Sequence, residues 1–589
     1  MKNGFTKATL LLLALLTACS GEHLASNNTE LSELRLDAVA LDQIFDPALT
    51  DYTASAGFLV RSLKLTAVAE HPDSGIAING APWQADQPLF LEPGENRFDI
   101  EVTAADGKTT RTYSLLINRA AAGDLIEDSF IKSINTGDSD TFGFSVAIDG
   151  ELMAIGAAGE DSNSTGVNSV ENDDGAADDS GAVYVYVRDS GFWYPEAYIK
   201  ADTATADYRF GGQLALSGNT LAVGAVGDSS VASQSGAVYI FVRNEPGEWS
   251  QQAKLKADNA GTDDGFGYAL ALSGDRIAIG APFEDGDADG VNKAANEDAA
   301  DAGAVYVFER DDTNNWRQTA YIKAANSDAG DRFGNALALQ DKLLAVGAPW
   351  EASQSTGINP VPDNNGAANG AVYLFAADDN GNWTQTAYLK SGNNRDNDFF
   401  GSSLALSNQW LAVGAPGDDN TGFGVNPPLA YSANDTASGA VYVFEQDSAG
   451  AWSQQAYIKA ALTGSSNEQD RFGFAIALSG ASLVVGAKDD SSQGGINPAV
   501  VDEAASDAGA VYLFQADIRG DWAQTHFIKA SNADASGGIV ADNFGFALAL
   551  SGETLLVGAP FEDSNKVFGD PALPDDNTRP EAGAAYLFR

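Results

Sequence analysis

The sequence predicts an all-β protein, a seven-bladed β-propeller preceded by a small β-sandwich. A Phe-Gly pair returns at intervals of 56 to 72 residues, and a Gly-Ala pair begins thirteen residues after each of its glycines. Each repeat contains four apolar runs, except that the last repeat lacks its fourth run. A segment similar to that missing run precedes the first repeat. A fixed period of this size is typical of a propeller or an array. The pairs are Phe142-Gly143, Phe210-Gly211, Phe266-Gly267, Phe333-Gly334, Phe400-Gly401, Phe472-Gly473 and Phe544-Gly545.

The first eighteen residues have the features of an export signal. Lys2 and Lys7 precede an apolar run over 10–16, which is too short to span a bilayer. The stretch LTAC resembles the lipobox of bacterial lipoproteins, which implies that Cys19 is acylated and anchors the protein to a membrane. Cys19 is the only cysteine, so no disulfide can form within the chain. The alternative is an ordinary signal cut near Ala18. In the enteric lipoproteins that this segment resembles, the residue after the cysteine directs sorting. Ser20 at that position implies that the protein is sorted to the outer membrane.

The formal net charge of −49 limits the partners. A field of this sign repels nucleic acid and anionic lipid headgroups. Cations, basic proteins and neutral glycans stay possible as ligands, and we expect a monomer.

The N-terminal part divides into a tether at 19–30 and a β-rich domain at 31–119. Short apolar runs alternate there with turn signals at 72–73, 93–94 and 106–107. This spacing suits a small sandwich. The stretches LSELRL, FDPALTDYT, LEPGEN and VTAADG resemble the cadherin-like β-sandwich of bacterial surface proteins. The linker 120–124 is too short for wide independent motion.

The repeats occupy 124–589, and each is predicted to fold as one blade. In the third repeat the four runs lie at 268–273, 276–282, 303–308 and 317–323. The third run is apolar at consecutive positions, so both of its faces must be covered, as they are between neighbouring blades. The seventh repeat lacks its fourth run, and DSFIKS at 128–133 matches that run elsewhere. We therefore predict that 128–133 completes the last blade and closes the ring.

The repeated Phe-Gly and Gly-Ala pairs resemble the FG-GAP repeats of the integrin α-subunit propeller. The resemblance implies an extracytoplasmic recognition platform with a ligand face and calcium in several blades. However, the acidic loops that hold calcium in that family are replaced here by tight turns such as SGD at 273–275, which cannot supply six oxygens.

Acidic residues instead follow the Gly-Ala pairs and precede the Phe-Gly pairs, so strand alternation places both sets on one face. Asp285, Asp287 and Asp289 stand at alternate positions before Gly290 and are the best candidate calcium ligands. Solvated acids without metal are the other interpretation, since exposed like charges are well screened. Phe283, Trp350 and Phe561 lie beside these acids and either stack on sugar rings or pack beneath the loops.

Three functions are compatible with these features. The first is an outer-membrane or cell-surface lipoprotein for recognition or adhesion through the acidic face, with a protein or glycan ligand and divalent cations. The second is a periplasmic envelope-assembly scaffold, and the third is a carboxylate-dependent glycan-active enzyme. The three histidines, His23, His71 and His526, form no recognisable metal cluster or triad, so we predict a protein that is not an enzyme.

Overall fold

The computed structural model describes residues 26–84, 87–169, 175–431, 437–460, 469–492, 495–497, 507–532, 542–564 and 578–589. The export signal, Cys19 and most of the tether lie outside these ranges. The described chain is all-β apart from one turn of 3-10 helix at Ala122–Asp124. The predicted fold class, a sandwich followed by repeated four-stranded sheets, is confirmed.

The sandwich consists of one three-stranded and one five-stranded sheet, in the orders β1-β3-β6 and β2-β8-β7-β4-β5. Tyr52 and Tyr113 are buried between the sheets, and the Tyr113 hydroxyl donates to the carbonyl of Pro47. The strands are β1 Leu31–Leu36, β2 Asp51–Ala56, β3 Ser62–Ala69, β4 Gly75–Ile78, β5 Ala81–Pro82, β6 Pro88–Phe90, β7 Gly94–Thr103 and β8 Thr110–Arg119.

Seven further sheets follow in the described ranges, and we call them blades 1 to 7 in chain order. Each has four main strands, and every one of these is antiparallel to its neighbours in the sheet. Blades 1 to 3 are formed by β10 Phe142–Asp149, β11 Leu152–Ala157, β12 Ala182–Asp189, β13 Phe192–Ile199, β14 Gln213–Ser217, β15 Thr220–Ala225, β16 Ala237–Glu245, β17 Glu248–Leu255, β18 Ala269–Ser273, β19 Arg276–Ala281, β20 Ala304–Arg310 and β21 Trp316–Ile322.

Blades 4 and 5 each gain a short fifth strand, β24 or β29, from the recurring Gly-Val/Ile-Asn segment, which pairs with the outer strand of its blade. These blades and blade 6 are formed by β22 Ala336–Gln340, β23 Leu343–Ala348, β24 Gly357–Ile358, β25 Ala371–Ala377, β26 Trp383–Lys390, β27 Ser403–Ser407, β28 Trp410–Ala415, β29 Gly424–Val425, β30 Ala440–Gln446, β31 Trp452–Lys459, β32 Ala475–Ser479, β33 Ser482–Ala487, β34 Ala510–Ala516 and β35 Trp522–Ile528.

Blade 7 takes its outer strand from the start of the repeat region, in the order β36-β37-β38-β9. Ile131 of β9 pairs with Ala585 and Phe130 pairs with Tyr586. The segment predicted to complete the last blade does so. The strands are β9 Glu127–Ile131, β36 Ala547–Ser551, β37 Thr554–Ala559 and β38 Ala584–Phe588.

The packing of the repeats explains why the Phe-Gly and Gly-Ala pairs both require glycine. In blade 3 the N–H of Gly267 donates to the carbonyl of Gly280, 3.0 Å away, with Gly267 at φ +97°. A Cβ on Gly280 would lie 2.0 Å from the carbonyl oxygen of Gly334 in the next blade. The same contact joins blade 7 to blade 1, where a Cβ on Gly558 would meet the carbonyl oxygen of Gly143 at 2.0 Å. The backbones approach too closely for any side chain, and the ring is closed.

The sandwich packs against one side of the ring, at blades 6 and 7. The Ser482 hydroxyl donates to the carbonyl of Leu59, and the Ser62 hydroxyl accepts from the N–H of Ala481. The buried Arg119 guanidinium donates to the side-chain oxygen of Gln515. Burial lowers the pKa of Arg119 to about 10, and Arg61 beside it adds to the shift. The interface is buried and hydrogen-bonded, so the two domains form one unit.

Candidate functional site: the loop face

One face of the ring carries the long loops, and we call it the loop face. In blade 3 it consists of the loops 256–268 and 282–303, which lead into the first strand and out of the second. The opposite side, the turn face, carries the short turns 274–275 and 311–315. The predicted gathering of both acid-rich loop sets on one face follows from this strand order.

The acids that stand four residues after the glycine of each Gly-Ala pair are buried and paired with lysines. In blade 4 a Glu351 oxygen lies 2.6 Å from the Lys390 ammonium, and both side chains are at most 1% exposed. In blade 3 Glu284 lies 2.8 Å from Lys323. The remaining pairs are Glu160–Lys200, Asp228–Lys256, Asp418–Lys459, Asp490–Lys529 and Glu562–Lys132.

Tyrosine and asparagine side chains complete these pairs. In blade 4 the hydroxyl of Tyr388 donates to Glu351 at 2.8 Å, and Asn326 donates to the same oxygen. The strand-three tyrosine, Tyr442 in blade 5, donates to its own blade's Asp418. Burial lowers the pKa of Lys390, and the charge of Glu351 opposes that shift. A charged pair persists in the interior only when such hydrogen bonds replace its water.

These pairs correct one part of the sequence interpretation. The sequence predicts solvated or calcium-binding acids after the Gly-Ala pairs, but the first-named residues of Glu160-Asp161, Asp418-Asp419 and Glu562-Asp563 are 0–1% exposed and paired with lysine. The signal was in the sequence. A lysine ends the fourth apolar run of every repeat, including DSFIKS, and an apolar strand has no reason to end on a repeated buried charge unless an acid meets it.

Five of the six aspartates that stand two residues before a Phe-Gly pair are also buried, namely Asp140, Asp264, Asp331, Asp398 and Asp470. Asp331 accepts from the N–H of Asp328, and Asp398 accepts from the N–H of Arg395, so each caps the turn that leads into its blade. Burial raises the pKa of Asp331 and of Asp398 to about 8, and nearby Glu351 and Asp418 add to the respective shifts. These carboxyls hold a proton at neutral pH.

This burial predicts a pH dependence of stability. The folded pKa of about 8 lies above the ordinary value of 3.8, so between these limits the folded chain holds a proton that the unfolded chain releases. Each such group therefore lowers stability as the pH rises, by at most about 1.4 kcal/mol per pH unit. We expect D331N/D398N to flatten the decline in unfolding free energy between pH 5 and 8. An unchanged slope in urea titrations would contradict this.

The three candidate calcium ligands lie in one loop but turn to different partners. Asp285 accepts from the N–H of Asp301 at 2.8 Å, Asp287 accepts from the Asn296 side chain at 2.6 Å, and Asp289 accepts from the N–H of Ser327 at 3.0 Å. No group of three metal-ligating side chains occurs in the described ranges. In the arrangement shown each of the three carboxylates has a hydrogen-bond partner of its own, and calcium binding stays a prediction from the sequence.

A channel of about 860 Å³ opens on the loop face and is lined by the first strands of all seven blades. Four residues after each Phe-Gly phenylalanine, an aliphatic side chain lines the wall. These residues are Val146, Leu214, Leu270, Leu337, Leu404, Ile476 and Leu548. Closer to the mouth the lining is mixed, with aromatic, amide and hydroxyl side chains such as Tyr268, Asn335 and Ser402.

The aromatic residues of the loops surround this mouth. Phe283 packs edge-to-face on Tyr268, and Phe561 packs in the same way on Phe546, so these two follow the packing interpretation. Trp350 is different, because 36% of it is exposed and it lines the channel. The Arg332 guanidinium lies 4.3 Å from the Trp350 ring centre.

A closed ring of four-stranded blades with one loop-bearing face, joined to a sandwich, defines a modular propeller-type protein. The FG-GAP repeat model matches residues 193–241, 249–308, 316–375, 383–444 and 522–588, about half of the chain. The chain belongs to the FG-GAP repeat family. Residues 31–120 match the model of the cadherin-like beta sandwich domain. This pair of modules indicates an extracellular or surface module.

Other similarities are weak. An Evansella cellulosilytica protein named "Putative membrane protein" is 33% identical over 88 residues, which are 14% of this chain and only 13% of that protein. The periplasmic gluconolactonase of Pseudomonas aeruginosa has a TM-score of 0.37 at 12% identity, covering 74% of this chain and 92% of its own. A quinonprotein alcohol dehydrogenase-like protein of Bacteroides thetaiotaomicron has a TM-score of 0.28 at 9% identity, covering 84% and 96%. Within the described ranges, no helix has the length and hydropathy to cross a membrane.

Proposed function

We propose that this protein is a recognition module of the cell surface, anchored through Cys19, whose sandwich holds the propeller with its loop face turned away from the membrane. The observation that carries the proposal is the position of the sandwich on the turn face. A recognition surface must be free and must face the partner, and this packing leaves the loop face open.

The contacts between the two domains show on which side of the propeller ring the sandwich packs. The turn Ser479–Ser482 of blade 6 bonds to Leu59 and Ser62, at the start of β3. In blade 7, Gly57 lies against Glu553, which is in the turn between β36 and β37. All of these groups lie on the turn face. The sandwich therefore extends from the side of the ring opposite the channel mouth.

The N-terminal end of the described chain lies at the far end of the sandwich. Leu31 pairs with Ala69 at the end of β3, seven residues along from Ser62 at the propeller. At about 3.3 Å per residue, that separation is about 23 Å. The carbonyl of Ser26 accepts from the N–H of Asp106 in the same distal region. An anchor that precedes Ser26 would thus place sandwich, turn face and loop face in that order from the membrane.

The orientation can be tested with a pair of epitope tags in the native host. One tag is inserted at 363–365, on the loop face of blade 4, and its match is inserted at 448–450, in a turn-face loop of blade 5. Both segments are exposed. We expect antibody to stain intact cells through the loop-face tag, whereas C19A should abolish membrane retention of either version. Staining only after permeabilisation would favour the periplasmic scaffold and contradict surface recognition.

Calcium dependence is a separate prediction, carried by the loop 284–290 alone. If Asp285, Asp287 and Asp289 bind calcium, millimolar calcium should raise the melting temperature, and D287N/D289N should remove that rise. Magnesium at matched ionic strength is the control for screening. Calorimetry without stoichiometric calcium uptake would leave these acids as surface charges and hydrogen-bond acceptors.

A further inference from the structure

We propose that the channel mouth binds the end of a neutral glycan, with sugar rings against Tyr268 and Trp350. The inference rests on the proposed recognition function and names the ligand class for the same face. It is carried by three observations, namely the exposed aromatic rings, the mostly uncharged polar lining and the arginine–aspartate pairs around the mouth.

The aromatic rings are placed to contact a ligand. Tyr268 and Trp350 both line the channel, and 38% and 36% of these side chains are exposed. Each ring packs against a second aromatic ring that restricts its movement. Tyr268 packs edge-to-face on Phe283, and Trp350 packs on Phe399 at a ring-centre distance of 5.3 Å. A partly exposed aromatic ring that is already held in place offers an apolar surface to a ligand and loses little conformational entropy when the ligand binds.

Most of the polar side chains that line the channel are uncharged, and the charged ones are Asp179, Arg209 and Glu581. Gln213, Asn335 and Ser402 line the channel and offer amide and hydroxyl groups, which both donate and accept. Sugar hydroxyls need both roles at neighbouring positions. Below them the aliphatic side chains offer no partner for a polar ligand. A polyhydroxylated ring therefore fits the mouth better than the depth of the channel.

Three arginine–aspartate pairs stand around the mouth, and the carboxylate of Glu581 adds a negative charge to the lining. Arg209 lies 3.9 Å from Asp179, Arg332 lies 4.0 Å from Asp301, and Arg471 lies 3.2 Å from Asp489. In a protein of net charge −49, an anionic glycan is repelled at long range. A cationic side chain is repelled by Arg332, whose guanidinium lies over the ring of Trp350, and a sugar ring must use the part of Trp350 that Arg332 leaves exposed. A neutral ligand meets neither obstacle, and about 860 Å³ lies within the usual range of small-molecule sites, about 300–1,000 Å³.

The test uses the purified chain from residue 26 on an array of neutral glycans, with polygalacturonate and tetra-arginine as charged probes. Calorimetry then measures the affinity of every glycan that binds. We expect at least one neutral glycan to bind, and Y268A and W350A each to weaken it tenfold or more. The matched control is F192A, a 68% exposed aromatic on the outer strand of blade 1, which should leave affinity unchanged.

The proposal would be overturned if no neutral glycan on the array binds the protein, or if neither Y268A nor W350A weakens the binding that is found. Binding of tetra-arginine alone, lost in W350A, would instead assign the mouth to a cationic protein segment and would equally overturn it. Melting curves of the variants, expected to match the parent, exclude misfolding as the cause of lost binding. The outcome is independent of the tag experiment, because a displayed loop face that binds no glycan leaves surface recognition standing.

Discussion

Replacing Lys390 by methionine should destabilise the propeller by about 3–5 kcal/mol, the usual cost of leaving one member of a buried ion pair alone. Lys390 and Glu351 are 0% and 1% exposed, so no water can take the place of the lost ammonium. The hydrogen bonds from Tyr388 and Ser353 keep Glu351 where it is, without neutralising it. Urea unfolding followed by tryptophan fluorescence would measure the loss of free energy.

Two variants make this expectation specific. The matched control is K342M, which removes the same charge from a pair that is 51% and 97% exposed and should cost less than about 1 kcal/mol. The double variant K390M/E351Q removes both charges but keeps an acceptor for Tyr388, so it should recover part of the loss. A K390M protein as stable as the parent would show that the buried pair adds nothing.

Replacing β9, residues 127–131, by a flexible Gly-Ser segment of equal length should open the ring. The change removes the strand that pairs with β38 and the buried Ile131, while Lys132 and the chain length are kept. The outer edge of β38 is then bare, and an unpaired hydrophobic edge promotes association between chains. We expect aggregation during refolding and a loss of cooperative unfolding, measured by light scattering and calorimetry.

The same Gly-Ser segment placed at 202–206, a mostly exposed loop between blades 1 and 2, is the control for flexibility alone. It should leave the protein soluble and folded. If the β9 variant behaves like this control, the ring is held closed by the contacts of the first strand of blade 1 with the first two strands of blade 7, such as Gly143 against Gly558 of β37, and the outer strand is dispensable.

Much of the fold could be predicted from the sequence because its constraints are local and repeated. Two glycines that must lie close to neighbouring backbones can be recognised at a fixed spacing, and so can a strand that is apolar at consecutive positions. The closing role of β9 could be predicted for the same reason, since one repeat lacks a run that another segment supplies. The acid-rich loops were placed on the correct face by strand alternation alone.

The chemistry of that face was harder to predict, because it depends on which side chains meet. A carboxylate after a Gly-Ala pair has the same local sequence whether it is solvated, bound to calcium or paired with lysine. Glu351 and Lys390 are 39 residues apart, and only the antiparallel return of the fourth strand brings them together. The spacing of Asp285, Asp287 and Asp289 suggested convergence, whereas the backbone of the loop turns each toward a different partner.

The spacing of glycine and apolar residues along the chain is enough to predict the repeat, the order of strands, the closure of the ring and the face on which the loops gather. It does not show which acids are buried and paired, where the aromatic rings stand around the channel or which face the sandwich covers. These features depend on distances between residues far apart in sequence, and such distances are set only when the blades pack around their axis.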